Sequence, residues 1–154
     1  MTKVFINGGN GTTGLRIADR LSQRADIELV SLPEALRKDV RAQVKLAAQA
    51  DVTFLCLPDE ASRELIGALG DEQGRVVDTS TAFRTDERFA YGFPELSPAR
   101  EAAICDANRV AVPGCHASGA VALLYPLRQA GLLAADAPVS LTSVTGFTGG
   151  GKKM

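Results

Sequence analysis

The sequence predicts an α/β fold whose core is a doubly wound parallel sheet, followed by the start of a second, α+β domain. Short runs of β-branched and aliphatic residues alternate with helix-like stretches, which is the pattern of βαβ units. A glycine-rich segment follows the first such run directly and precedes a helical pattern, as in the first turn of Rossmann-type sheets. We expect the Rossmann-type domain over residues 1–114 and a truncated second domain over residues 115–154.

Six apolar runs predict the strands. The run Val52–Leu57 is continuous, which is typical of a central strand buried on both faces. Ser80 to Glu95 lacks a periodic pattern and predicts a long connection at one edge of the sheet, a feature that is usually functional. The predicted strands are Val4–Asn7, Ile27–Leu32, Val52–Leu57, Arg75–Asp78, Arg109–Val112 and Val139–Thr145.

Amphipathic helices are predicted after the first and third strands, because leucine, isoleucine and alanine recur there at helical spacing. The residues that define the two apolar faces are Leu15, Ala18 and Leu21 in the first helix and Leu65, Ile66 and Leu69 in the second.

The composition is that of a globular domain. Of 154 residues, 45% are apolar and 23% charged, close to globular averages. The 17 basic and 18 acidic side chains give a net charge of −1, which argues against nucleic acid as a partner. No apolar run approaches the ~18 residues of a membrane span, and no signal-peptide pattern opens the chain. We therefore expect a cytoplasmic protein without a membrane partner.

The segment after the first strand predicts a phosphate-binding turn. Its glycines fit both G-x-G-x-x-G and the related G-x-x-G-x-x-G. Glycine allows the backbone to approach a pyrophosphate closely, and the helix start supplies free N–H groups. The alternative is a merely structural glycine-rich turn. The predicted cofactor-binding residues of this segment are Gly8, Gly9, Gly11, Thr12, Thr13 and Gly14.

The end of the second strand favours NADP over NAD. An NAD site requires an acidic residue at this position, but Glu34 is displaced beyond a proline. Ser31, Arg37 and Lys38 predict instead a site for the 2′-phosphate. The alternative is that the two basic residues only form a solvated turn.

Cys115 is the candidate nucleophile, because a strand turns through a Pro-Gly pair into a helix at this residue. The helix dipole and free N–H groups favour thiolate over thiol there. Ligands of open α/β sheets bind at the carboxyl edge, so the thiolate is expected beside the nicotinamide. Cys56 and Cys105 are expected to be buried, inert side chains. Three cysteines without a C-x-x-C pair argue against a disulfide framework or a metal site.

Two neighbouring features carry weaker predictions. His116 follows Cys115 directly, but successive helical residues point about 100° apart, which disfavours a Cys–His dyad. The segment from Gly146 to Lys153 nearly matches a P-loop, with Lys153 in place of the hydroxyl residue. It therefore predicts a wall for a phosphate or nicotinamide rather than a nucleotidase site. We interpret this glycine-rich end as the point from which a longer polypeptide continues.

Together these motifs resemble N-acetyl-gamma-glutamyl-phosphate reductase, in the shorter second type of that arginine-biosynthesis family. The resemblance implies an NADP-binding domain and a substrate domain that supplies dimer contacts and a catalytic histidine, hence a homo-oligomer. The matching segments are Gly9–Leu15, Leu32–Ala35 with Arg37–Asp39, Phe54–Asp59, Asp78–Arg84, Tyr91–Glu95, Pro113–Cys115 and Gly149–Lys152.

Carried over by position, the resemblance implies that Cys115 attacks the acyl phosphate of N-acetyl-glutamyl phosphate, a small-molecule substrate, and expels phosphate. NADPH would then reduce the thioester to the semialdehyde. Arg84 is the candidate ligand of an anionic group of the substrate, with a structural salt bridge as its alternative role.

Two departures from the common Asn-Pro-Gly-Cys-Tyr-Pro-Thr pattern flank the nucleophile. Val112 replaces the Asn, and His116-Ala117-Ser118 replaces Tyr-Pro-Thr. They leave open a related acyl phosphate, of aspartyl or aminoadipyl type. A non-catalytic module that senses NADP is the remaining alternative.

Overall fold

The computed structural model describes residues 1–70 and 74–146. The chain forms two compact units, Met1–Val112 and a second that begins at Pro113, and each is described by itself. The strands of the first unit are β1 (Thr2–Asn7), β2 (Ile27–Val30), β3 (Val52–Leu55), β4 (Arg75–Asp78), β5 (Ala90–Tyr91) and β6 (Arg109–Ala111). Its helices are α1 (Thr12–Ser22), α2 (Val40–Gln49), α3 (Asp59–Leu69) and α4 (Pro98–Asp106), with 3-10 turns at Glu34–Leu36 and Pro94–Leu96.

The described strands form one parallel sheet in the order β2-β1-β3-β4-β6-β5. The predicted doubly wound α/β architecture is confirmed. From β1 the chain first moves outward to β2 and then returns past β1 to β3. The strand order therefore reverses at the β1–β3 pair, and open α/β sheets bind ligands outside the carboxyl ends of the strands at such a point.

Five of the six predicted strands are confirmed, with ends that differ by two residues or fewer. β3 lies between β1 and β4, as its apolar run predicts. Thr53 and Leu55 on one face are fully buried, whereas Val52 and Phe54 on the other are only half-buried. Burial on both faces is therefore incomplete. Leu55 belongs to the same hydrophobic cluster as Leu65, Ile66 and Leu69 of α3, which are buried as the helical spacing predicts.

The predicted apolar face of α1 is wrong at one residue. Leu15 is 57% exposed, and the buried residue of this helix is Gly14. A Cβ on Gly14 would lie 2.6 Å from the Gly8 carbonyl oxygen. The close approach of Gly14 to the preceding turn fixes which side of α1 faces inward, and it turns the neighbouring Leu15 outward.

The connection from Ser80 to Glu95 is more ordered than its sequence suggests. It contains β5, which pairs with β6 at the edge of the sheet. Beside it, Phe83 and Phe89 are buried and stacked with ring centroids 4.3 Å apart. The connection is therefore a packed segment.

The second unit contains α5 (Cys115–Gln129). The predicted strand Val139–Thr145 is wrong, because this segment has no regular secondary structure and Val144 is 93% exposed. A strand needs a neighbour for its N–H and C=O groups, and the described part of this unit offers none. The predicted wall from Gly146 onward lies almost wholly outside the described residues. No helix within the described ranges is long and apolar enough to cross a membrane.

Candidate functional site

Two glycines of the loop after β1 are required by the packing of the protein itself. Gly8 has a φ of 85°, and a Cβ there would lie 2.2 Å from the Cys56 carbonyl oxygen. A Cβ on Gly14 would meet the Gly8 carbonyl oxygen, as described above. Neither position accepts a side chain without movement of the backbone.

Gly9 and Gly11 differ, because no protein contact requires glycine there. Among the described atoms, the nearest to a Cβ would be the Ile6 carbonyl oxygen at 3.6 Å for Gly9 and the Gly8 carbonyl oxygen at 3.4 Å for Gly11. Gly11 is the N-cap of α1 with extended backbone that any residue adopts. The missing side chains therefore leave open space on the outer side of this turn.

The start of α1 offers donors to that space. Gly11 supplies no side-chain cap, so none of the described side chains caps the first N–H groups of the helix. Such a helix end binds phosphate groups through N–H donors and the helix dipole. Thr12 and Thr13 lie in the first turn and line a shallow groove with Arg16 and Arg20. The turn therefore fits the pyrophosphate of a dinucleotide.

The residues predicted to hold a 2′-phosphate lie beyond β2 in an exposed turn. Ser31 follows the strand, and Arg37 follows the 3-10 turn. Arg37 Nη1 lies 3.9 Å from Glu34 Oε1, a long ion pair on the surface. Lys38 is also exposed, so both cations are accessible to an anion.

Two aspartates accept hydrogen bonds from the first residues of the connection from Ser80 to Glu95. The sequence analysis assigned a role to neither of them. Asp78, fully buried at the end of β4, accepts hydrogen bonds from the N–H and hydroxyl of Ser80. Asp59, the first residue of α3, accepts from the N–H of Thr81 at 3.0 Å and from its hydroxyl. These bonds lower the pKa of Asp59. An aspartate that directly follows an apolar run was the available signal for Asp78.

Arg84 contacts the backbone rather than a carboxylate. Its Nε donates to the Val112 carbonyl oxygen at 3.0 Å, and its Nη2 donates to the Thr79 carbonyl oxygen at 3.3 Å. The salt bridge considered as its alternative role is not found among the described residues. Its role as a substrate ligand stays a prediction.

In the second unit, Cys115 is exposed and is the first residue of α5. The N-cap is Gly114, so no described side chain caps this helix either. The Gly114 carbonyl oxygen accepts from the N–H of Ser118 at 2.8 Å and from its hydroxyl at 3.0 Å. The ring of His116 contacts the hydroxyl of Ser143 through Nδ1. The thiol thus lies at a helix start whose dipole favours a negative charge.

The other two cysteines differ from Cys115 and from each other. Cys56 is half-buried beyond β3, and burial raises the pKa of its thiol, while a hydrogen bond with Thr79 partly offsets the rise. Cys105 is exposed, so its predicted burial is wrong. It lies on α4, whose residues are all described and none of which is buried.

The family model of the semialdehyde dehydrogenase NAD-binding domain matches residues 3–104. The chain belongs to this family. The semialdehyde dehydrogenase match covers most of the first unit, which is therefore a domain for a nicotinamide cofactor. The glycine-rich turn and the uncapped start of α1 lie within the matched range.

Curated relatives confirm the resemblance predicted from the motifs. The chain is 50% identical over 152 residues to N-acetyl-gamma-glutamyl-phosphate reductase of Chelativorans sp. (strain BNC1), and 52% identical over 155 aligned positions to the Brucella anthropi protein of that name. Each alignment covers 99% of this chain and 49% of the relative. The chain thus spans about half the length of the curated relatives it matches.

Solved structures of aspartate semialdehyde dehydrogenases share the fold. Aspartate semialdehyde dehydrogenase II of Vibrio cholerae matches with a TM-score of 0.60 and 18% identity over 83% of this chain and 46% of that one. The Candida albicans aspartate semialdehyde dehydrogenase, solved with NADP, matches with a TM-score of 0.62 and 18% identity over 84% and 47%. At this identity the likeness shows the fold alone.

Proposed function

We propose that this chain carries the cofactor domain and the nucleophile of an NADP-dependent reductase of N-acetyl-glutamyl phosphate. The observation that carries the proposal is an exposed cysteine, Cys115, as the first residue of a 15-residue helix without a side-chain cap. It stands in a chain whose first unit is a nicotinamide-cofactor domain and whose relatives are named for this reduction.

Cys115 acts as a thiolate on an acyl phosphate. Its Sγ attacks the acyl carbon, so that a C–S bond forms and the C–O bond to phosphate breaks, and phosphate leaves with the electron pair. The free N–H groups at the start of α5 stabilise the thiolate before the attack. When bound, the cofactor would supply the hydride that reduces the thioester carbon. The C–S bond to Cys115 then breaks, which releases the aldehyde and regenerates the thiolate.

The full-length polypeptide tests the reaction in the reverse direction. We expect phosphate-dependent reduction of NADP by N-acetyl-glutamate semialdehyde, loss of this activity in Cys115→Ser and its retention in Cys105→Ser. An inactive wild-type protein that still binds NADP would contradict the substrate assignment. In that case the substitutions at Val112 and His116 direct the search to an aspartyl or aminoadipyl phosphate, or to a sensor without turnover.

The cofactor preference depends on the exposed turn after β2. Arg37 supplies a cation whose present partner, Glu34, is 3.9 Å away, so a 2′-phosphate competes easily for it. We expect NADP to bind more tightly than NAD, and Arg37→Ala to weaken NADP about tenfold while NAD is unaffected. Titration calorimetry measures both, with the exposed Arg41→Ala as the matched control. Equal affinities of the wild-type protein for the two cofactors would contradict the assignment.

A further inference from the structure

The imidazole ring of His116 is restrained by a residue that is distant in sequence. His116 is the second residue of α5, and its Nδ1 contacts the hydroxyl of Ser143, 27 positions later in the chain. Both residues belong to the second unit. Ser143 lies in an exposed segment without regular secondary structure. The contact therefore links this segment to the start of α5 and restricts the orientation of the ring.

The other ring nitrogen, Nε2, is accessible to a ligand. His116 is exposed, and over residues 1–70 and 74–146 it forms no ion pair and no hydrogen bond through Nε2. When the Ser143 hydroxyl donates to Nδ1, the ring proton lies on Nε2, which is then a donor. A protonated ring also donates from Nε2. The ring thus presents a hydrogen-bond donor to an anion.

The position of His116 beside the nucleophile indicates which anion this is. The α-carbons of Cys115 and His116 are about 3.8 Å apart, but their side chains point about 100° apart around the helix. The ring therefore does not face the thiol as its base. In an acyl phosphate, a single oxygen joins the phosphorus to the carbon that Sγ attacks. The phosphoryl group, the most highly charged part of the substrate, consequently reacts within reach of a neighbouring side chain.

We propose that His116 binds the phosphoryl group of the acyl phosphate through Nε2, and that Ser143 positions the ring. The inference rests on the proposed function, since it takes Cys115 as the nucleophile. In the reverse direction the same donor binds inorganic phosphate. A phosphate oxygen then attacks the thioester carbon, so that the C–O bond forms, the C–S bond breaks and the Cys115 thiolate is regenerated.

The reverse reaction of the full-length protein separates the two parts of the substrate, because phosphate and N-acetyl-glutamate semialdehyde have separate KM values. His116→Asn keeps a group near Nδ1 but has no donor at Nε2, whereas His116→Gln extends an amide N–H towards that position. We expect His116→Asn to raise KM for phosphate about tenfold or more, with KM for the semialdehyde little changed. We expect a smaller rise in His116→Gln.

Ser143 is tested in the same assay. We expect Ser143→Ala to raise KM for phosphate less than His116→Asn does, and Ser143→Thr to restore it, because threonine keeps the hydroxyl. Ser140→Ala is the matched control, since it removes an exposed hydroxyl of the same segment that forms no hydrogen bond with the described residues. Thermal unfolding verifies that each variant is folded.

A second measurement does not depend on turnover. We expect inorganic phosphate to slow the alkylation of Cys115 by iodoacetamide, followed on the Cys115 peptide by mass spectrometry. The phosphate concentration that halves the rate should be about tenfold higher in His116→Asn. Equal protection of wild type and His116→Asn, or no protection of wild type, would overturn the proposal.

A rise in KM for the semialdehyde alone would also overturn the proposal, and it would assign the ring to the rest of the substrate. If the wild-type protein does not turn over the semialdehyde but phosphate protection still depends on His116, the phosphate site stands and the substrate assignment fails.

Discussion

Gly8 and Gly14 lack a side chain for a different reason from Gly9 and Gly11. Other residue types are excluded at Gly8 and Gly14, because backbone atoms lie within 3 Å of where a Cβ would be. At Gly9 and Gly11 no described atom lies that close, and we propose that a ligand occupies this space. The sequence motif treats all four alike, and only the distances separate the glycines that protein packing requires from those that it does not.

This difference predicts opposite results for two alanine variants. Gly14→Ala places a Cβ 2.6 Å from a carbonyl oxygen, and we expect it to lower the free energy of unfolding by about 2–3 kcal/mol. Gly11→Ala meets only an ordinary contact, so its stability stays within about 1 kcal/mol of wild type. We nevertheless expect Gly11→Ala to weaken NADP binding at least ~10-fold, because a side chain enters the pyrophosphate space.

Urea unfolding and NADP titration on the same samples measure the two effects. A Gly11→Ala variant that binds NADP as tightly as wild type would contradict the placement of the pyrophosphate.

The three cysteines allow the effect of solvent exposure on thiol reactivity to be separated from the effect of a helix N-terminus. Cys115 and Cys105 are both exposed, but only Cys115 starts a helix, whereas Cys56 is half-buried with a raised pKa. We expect iodoacetamide at neutral pH to label Cys115 about tenfold faster than Cys105, with Cys56 slowest. Peptide mass spectrometry over a time course gives the three rates. Equal labelling of Cys115 and Cys105 would show that exposure alone determines reactivity.

At the level of elements, the Asp59 carboxylate links the start of α3 to the connection from Ser80 to Glu95. Asp59 accepts two bonds from Thr81, and these lower its pKa. Within the connection, the side-chain and backbone bonds from Arg88 lower the pKa of Asp86 to about 2. A carboxyl whose pKa is depressed in the folded state stabilises the protein above its unfolded pKa, here 3.8, and loses this effect as the pH falls through the folded value.

We therefore expect the free energy of unfolding to fall between about pH 4 and pH 2. Asp59→Asn removes one of the contributing groups, so the variant is less stable at pH 7 and loses less on acidification. Urea unfolding at pH 7, 4 and 3 measures this, with Asp106→Asn on α4 as the control. The same acid dependence in Asp59→Asn and wild type would contradict a stabilising role for the Asp59 bonds.

Element prediction succeeded where local pattern and tertiary packing agree. Each of the five confirmed strands pairs with at least one other strand of the sheet. Val139–Thr145 is also rich in β-branched and aliphatic residues, but the described part of its unit holds no strand with which it pairs. β5 has only two residues, Ala90 and Tyr91, and its pairing with β6 depends on contacts distant in sequence. No local period predicts such a strand.

At the scale of the whole molecule, the sequence predicts the elements on which the candidate site residues lie better than it predicts the contacts of those residues. The glycines lie between β1 and α1, and Cys115 lies at the start of α5 after β6; the motifs predict both strand–turn–helix junctions. The bonds of Arg84 to two carbonyl oxygens were not predictable, because they join Arg84 to residues 5 and 28 positions away in the chain. Side-chain bonds of this kind arise only once the strands are aligned.

In the proposed reaction, the glycine-rich turn that is expected to bind the cofactor belongs to the first unit, and Cys115 belongs to the second. The nucleophile is the part that distinguishes a reductase of acyl phosphates from a module that only binds NADP.

The most direct test is to mix the full-length protein with N-acetyl-glutamyl phosphate in the absence of NADPH and to measure the acylated peptide and released phosphate. We predict one acyl group on Cys115 as a hydroxylamine-sensitive thioester, with one equivalent of phosphate released and neither product in Cys115→Ser. Phosphate release without acylation of Cys115, or acylation at another residue, would contradict the assignment of this cysteine as the nucleophile.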